Sequence, residues 1–277
     1  MADIHIFNHR AMATHFEVRI ADEERSYAAQ AAQVALDLLD QLESHLSRFR
    51  ANSEIAQIAH LLPGERMRLS EPVFSCLEIA KKMESATLGA FSVTASALQM
   101  QASLPQWSLI PQELSIQCES GRLYFDLGAI GKGFALDRMA ELLHAWDCES
   151  FLLVAGGSSI LAGNAPSNST GWSCGLGEDN AQQRYFLTHT SLSSSGLAVK
   201  GNHILDPRTG QPALRQSRTW ALADTAAESD ALSTACMVMN EQEMEEVLAH
   251  DSSWLFFLES SGTVLAKGNR VLPPQSF

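Results

Sequence analysis

Three stretches of the chain carry residue types that could do chemistry on a phosphate-bearing ligand. In Glu228-Ser-Asp-Ala-Leu-Ser-Thr, Asp230 and Thr234 are four positions apart and share one helical face, with Ser233 beside them. One carboxylate with one or two hydroxyls makes a hard oxygen site. It is too poor for a calcium cage but suits Mg2+, which keeps waters and takes its remaining oxygens from substrate phosphates. The same spacing also suits an Asp230 that interacts with a helix N-terminal dipole while Thr234 packs.

The second stretch is Asp126-Leu-Gly-Ala-Ile-Gly-Lys-Gly-Phe-Ala-Leu-Asp-Arg-Met139, an apolar strand running through a glycine-rich turn into an amphipathic helix. Glycines 128, 131 and 133 let the backbone approach a ligand closely, and the first helical turn leaves N–H groups without intrahelical partners. With Lys132 among them, such a turn can meet the charge of a pyrophosphate. The spacing is neither G-x-G-x-x-G nor a Walker A loop. It is equally that of a tight strand-to-helix connection with Asp126 as an N-cap or turn residue.

The third is His203-Ile-Leu-Asp206, where a loop histidine with an unperturbed pKa of about 6.5 could act as a general base. A surface or turn histidine reads the same way. Ser195 precedes Gly196 without a G-x-S-x-G elbow, which argues against a serine hydrolase. The serines at 193–195 read as donors to a ligand or as a turn.

These residues must be positioned by a mixture of strands and helices. Alternation at Ile4 and Ile6, then at Phe16, Val18 and Ile20, predicts paired strands on either side of Met12-Ala-Thr-His15. Apolar residues at helical spacing predict a long helix over 24–48, and Ser53 is a candidate cap for a short turn. Ser70 and Pro72 open a second helix that stops at Gly89. Residues 101–118 show little pattern; 123–126 reads as a strand and 132–146 as the helix after it. Strands follow at 151–154, 160–161, 172–176, 185–190 and 219–222, then helices over 228–239 and 241–250 and a closing hairpin around 260–262. The expected fold is α+β, one domain over 1–277 with mainly antiparallel sheet packed with helices.

A formal net charge of -13 over 277 residues argues against nucleic acid or an anionic membrane surface as partner, so an anionic ligand needs local help from helix N-termini or a cation. The mean hydropathy of -0.05 is that of a globular chain. Five widely spaced cysteines without a C-x-x-C pair suggest free, mostly buried thiols. No stretch approaches the ~20 apolar residues of a membrane span, and no basic segment with an apolar run opens the sequence. As written the chain reads as cytoplasmic; one starting after a removed signal peptide would look similar and be periplasmic or membrane-anchored.

In order along the chain, Met12-Ala-Thr, Ser47-Arg-Phe with Ser53-Glu-Ile, Asp126–Asp137, Ala155-Gly-Gly, and His203-x-x-Asp-Pro-x-Thr-Gly210 followed by Ser229-Asp-Ala-x-x-Thr234 resemble the ApbE-like FAD:protein FMN transferases. The resemblance implies a Mg2+-dependent enzyme that cleaves the pyrophosphate of FAD, transfers FMN to a threonine or serine hydroxyl of an acceptor flavoprotein and releases AMP. By the same resemblance, Met12 and Phe49 line the flavin, and Ala90, Phe91 and Ser92 make a further flavin or adenosine contact. Asp126 hydrogen-bonds the cofactor, Lys132 sits near the phosphates or incoming substrate, and Leu205 touches the flavin nucleotide. Ala129 offers a backbone oxygen to the metal beside Asp230, Thr234 and Ser233, and His203 is the base.

The chain departs from the family at several positions. It has Ala13 where glycine is common, Phe49 where tyrosine is frequent, Ser92 for an acidic residue, Ser158 for Asp or Asn, and Ser193-Ser-Ser-Gly196-Leu197 where Thr-Ser-Gly precedes an aromatic. These changes bear on the flavin and adenosine contacts and leave the metal ligands and His203 in place. Two other readings share the same residues: an FAD pyrophosphatase giving FMN and AMP, and a catalytically silent FAD-binding protein.

Overall fold

The computed structural model describes residues 3–176, 183–197, 204–260 and 263–270. The first two strands, β1 (Ile4–Ala11) and β2 (Thr14–Ala21), form the expected hairpin. Its two-residue loop holds Met12 and Ala13 at φ 49° and 58°, the left-handed pair that matches the twist of paired strands. The Met12 N–H donates to Glu43 Oε1 at 2.9 Å, tying the loop to α1 (Arg25–Leu46).

Eight strands make one sheet in which every neighbouring pair is antiparallel, in the order β1, β2, β6 (Phe151–Ala155), β7 (Ser159–Ala162), β10 (Thr190–Gly196), β11 (Arg218–Ala223), β12 (Leu255–Ser260), β13 (Thr263–Lys267). The small sheets are β3 (Arg66–Arg68), β5 (Ser115–Ser120) and β4 (Gln106–Ile110), and the pair β8 (Trp172–Leu176) and β9 (Gln183–Leu187). One face of the large sheet carries α1, α4 (Gly131–Ala145) and α5 (Ala226–Val238), with α2 (Glu54–Ile58) and α3 (Glu71–Ala86) packed alongside α1. On the other face an apolar cluster of Leu152, Leu192, Trp220, Leu222 and Phe257 joins Trp172, Leu176 and Leu187 of the two-stranded sheet. α6 is Glu241–His250, with a capping box between Asn240 and Glu243.

The structure corrects four local expectations. Residues 101–118 contain β4 and most of β5, whose short irregular pairing left no clean period to read. Residues 123–126 belong to no strand. Ser70 stands at the N-cap of α3, yet its hydroxyl makes no cap bond, whereas Ser53 accepts from the Ala56 N–H as expected. Ser193, Ser194, Ser195 and Gly196 lie inside β10 and form no turn. All five cysteines are free and buried. Among the described residues no helix is long and apolar enough to cross a membrane.

Candidate functional site

The glycine-rich turn and the Asp230 helix, distant in sequence, meet through two carboxylates that cap each other's helices. No side chain caps α4 from its own N-cap residue, Ile130. The Gly133 N–H, in the first turn of α4, instead donates to Asp230 Oδ2 at 2.8 Å. In return Asp137, one turn further along α4, accepts from the Ala226 and Ala227 N–H groups at 2.7 and 2.8 Å. Thr225 accepts from the Glu228 N–H, so the first N–H groups of α5 are satisfied. The approach is close enough to exclude a side chain. A Cβ on Gly133 would stand 2.0 Å from the Ala226 carbonyl oxygen, so this glycine is required for space. Burial pushes the Asp137 pKa up to about 7, with the charges of Asp230 and Glu228 in the same sense, against the lowering effect of the two N–H donors.

Asp230 is 4% exposed. Its Oδ1 accepts from Ser159 Oγ at 2.5 Å; Oδ2, besides Gly133, has Lys132 Nζ at 3.5 Å. Lys132 also reaches the Gly128 carbonyl at 3.3 Å, so its ammonium lies between the turn and the carboxylate. One helical turn on, Ser195 Oγ of β10 bridges Ser233 Oγ and Thr234 Oγ1 at 2.9 and 3.0 Å. Ser233 Oγ donates to the Asp230 carbonyl, and the Ser233 carbonyl accepts from Thr219 Oγ1 at 2.7 Å. Thus α5 presents a carboxylate and two hydroxyls on one face. Every side-chain atom here that could ligate a metal is a hard oxygen, which fits a cation such as Mg2+. Among the described residues no group of three His, Cys, Asp or Glu could hold a metal. A cation at Asp230 therefore depends on hydroxyl, backbone, water and substrate oxygens.

The remaining expected site residues occupy two other zones. Asp126 folds an Asx turn at the start of the glycine-rich segment, accepting from the Gly128 N–H at 3.0 Å, and its own N–H bonds the Val93 carbonyl at 2.7 Å. That bond brings the loop of Ala90, Phe91 and Ser92 beside it. Ala90 and Phe91 are buried, while half-buried Ser92 holds Thr94 through Oγ at 3.0 Å. Asp126 also pairs with Arg48 at 3.3 Å, and the Arg48 guanidinium lies 4.5 Å over the ring of Phe49, which is 81% exposed. Arg48 also touches the Tyr124 ring and hydroxyl. Ala129 is half-buried in the turn before α4, Met12 half-buried in the β1–β2 loop.

Leu205 forms an isolated bridge with Pro212. Its neighbour Asp206 is engaged by Arg208, which donates from Nε at 2.9 Å and Nη2 at 3.0 Å and also reaches Glu243 of α6. Burial works to raise the Asp206 pKa, but those bonds outweigh it and hold the carboxyl below its ordinary value. Asp206 thus anchors the turn. His203 lies outside the described residues. The sequence motifs contained Asp137 and Arg48 without giving either a role, and Ser159 lay outside them; the partners Asp137, Arg48 and Ser159 find at Ala226, Asp126 and Asp230 are all distant in sequence.

Comparison with known proteins gives the family and the fold. The sequence model of the ApbE family matches residues 12–256. The chain is 22% identical over 302 residues to an FAD:protein FMN transferase of Klebsiella pneumoniae (strain 342), covering 93% of this chain and 85% of that one. Its fold matches the flavin transferase ApbE from Vibrio cholerae with a TM-score of 0.82 at 18% identity over 97% of both chains. It also matches the ApbE protein of Thermotoga maritima with a TM-score of 0.79 at 22% identity over 95% of this chain and 96% of that one.

Proposed function

The chain belongs to the ApbE family, and we propose that it is a transferase that moves FMN from FAD to a threonine or serine hydroxyl of an acceptor protein, with Mg2+ held at Asp230. The observation that carries this reading is the junction of the first turn of α4 with Asp230, through the 2.8 Å bond from the Gly133 N–H. It joins a backbone turn suited to phosphate and an oxygen site suited to a hard cation.

In the proposed reaction the acceptor oxygen forms a bond to the FMN phosphorus of FAD while the anhydride P–O bond to the AMP half breaks. The hydroxyl proton passes to His203, a role that rests on the sequence motif, and AMP leaves. Mg2+, when bound, supplies Lewis acidity at the phosphoryl oxygens. Asp230 and Thr234 hold it, with Ser233 and the Ala129 carbonyl as further oxygen donors. Lys132 adds positive charge beside the phosphates. Asp126 and the exposed face of Phe49 receive the rings of FAD, stacking supplying the contact; Met12, Ser92 and Leu205 border them, and Ala90 and Phe91, buried themselves, shape the loop that carries Ser92.

The test is mass spectrometry of an acceptor-domain peptide after incubation with the protein, FAD and Mg2+, alongside Asp230→Ala and His203→Ala. The expected result is one added FMN with wild type, falling by at least roughly 100-fold in each variant. AMP released without modified peptide for any acceptor tried would replace transfer by hydrolysis, and FAD bound without turnover would leave a binding protein.

A further inference from the structure

We infer that Ser159 is a positioning residue for Asp230, fixing the carboxylate in the orientation in which it takes a divalent cation. The inference deepens the proposed function and rests on its metal reading. Ser159 opens β7, immediately after the Ala155–Ser158 turn, and is completely buried. Its hydroxyl donates to Asp230 Oδ1 at 2.5 Å and lies 3.4 Å from Ser158 Oγ. With Gly133 donating to Oδ2, each carboxylate oxygen has one fixed donor from a different element, one from a strand and one from a helix. A carboxylate pinned at both oxygens cannot rotate about its χ2 bond; Oδ1 keeps a lone pair for a metal, while at Oδ2 the Lys132 ammonium stands 3.5 Å away. Groups that orient a ligating carboxylate affect metal affinity even though they never touch the ion.

A second serine provides the contrast. Ser191 is equally buried and sits on the adjoining strand, but its hydroxyl bonds Ser229 Oγ and the Ile160 carbonyl at 2.7 Å each and not Asp230. If serines along this interface act only as buried, satisfied polar groups, Ser159→Ala and Ser191→Ala should behave alike. If Ser159 positions Asp230, only its removal should alter the response to the cation.

The test titrates MgCl2 into full-length protein at fixed FAD, following the thermal unfolding midpoint and, separately, the Mg2+ dependence of turnover. Both variants are expected to unfold at lower temperature than wild type. Ser159→Ala should need roughly 10-fold more Mg2+ or beyond for half its thermal shift and for half-maximal turnover, and Ser191→Ala should need the wild-type concentration. A Ser159→Ala chain with the wild-type Mg2+ midpoint, or two variants shifted equally, would overturn the positioning role while leaving the metal reading intact. A wild-type chain whose stability and turnover both ignore Mg2+ would sink the metal reading, and this inference with it.

Discussion

The two faces of the central sheet bury their residues by different physics, although the same strands supply both. On β10 and β11, Leu192, Trp220 and Leu222 point into the apolar cluster under the two-stranded sheet, where burial alone supplies the stabilisation. The alternate residues Ser191, Ser193, Ser195 and Thr219 point to α5, and each hydroxyl there has a partner. A buried hydroxyl left unpaired costs about 1–3 kcal/mol, so this interface is tightly specified in register and side chain. The apolar face needs only volume, because hydrophobic contact is not directional. The difference teaches why the candidate site lies where it does: an interface that must pair every polar atom is also one that can hold a carboxylate in a single orientation.

The sharpest way to break this contrast is Gly133→Ala. The added Cβ cannot coexist with the Ala226 carbonyl at 2.0 Å, so the helices must part and Asp230 must lose or lengthen its bond to the Gly133 N–H. We expect a loss of roughly 3 kcal/mol, the upper range of overpacking, by urea unfolding, and a fall in turnover of the folded fraction of about 100-fold, as for a misplaced reacting geometry. Retention of full turnover would mean that the α4–α5 junction is not part of the active machinery. The complementary change is Leu222→Ala, on the apolar face and completely buried. It should cost roughly 2–3 kcal/mol and leave turnover per folded molecule unchanged. A loss of turnover as large as that of Gly133→Ala would show that the faces are not independent.

Much of the fold was legible because its signals are local. The β1–β2 alternation, the cap at Ser53, and the four-residue spacing of Asp230 and Thr234 each depend on neighbours in sequence. The candidate site was legible only as separate pieces. Nothing near Gly133 shows that its N–H meets a carboxylate 97 residues away, and Ser159 reads as one more strand serine until β7 is laid against α5. The Ser-x-Ser-x-Ser of 191–195 does carry the strand period, but beside Gly196 it also fits a turn; pairing with β7 and β11 decides for strand. Phe49 and Arg48 stand together in one motif, whereas the hold on the Arg48 guanidinium above the ring could not be read there, since Asp126 and Tyr124, which hold it, come from a distant loop.

A pH series separates the faces in a further way. Asp137 is one of the two carboxylates of the reciprocal cap, and two opposing influences act on it: burial raises its pKa, and the Ala226 and Ala227 N–H groups lower it. With burial the larger, the folded state keeps the proton up to a pKa of about 7, whereas the unfolded chain releases it near the ordinary value of 3.8. The folded state therefore binds more protons across that window. By linkage, the stability contributed by this group is fully present below the unfolded pKa and is lost as pH rises toward the folded one. Without added divalent cation, the stability of wild type relative to Asp137→Asn should fall between about pH 4 and pH 7 and then level off. Leu222→Ala should track wild type at every pH, because its cavity titrates nothing. A wild-type advantage that instead grows with pH would mean that the two N–H donors win over burial, and that the cap holds a carboxylate at neutral pH.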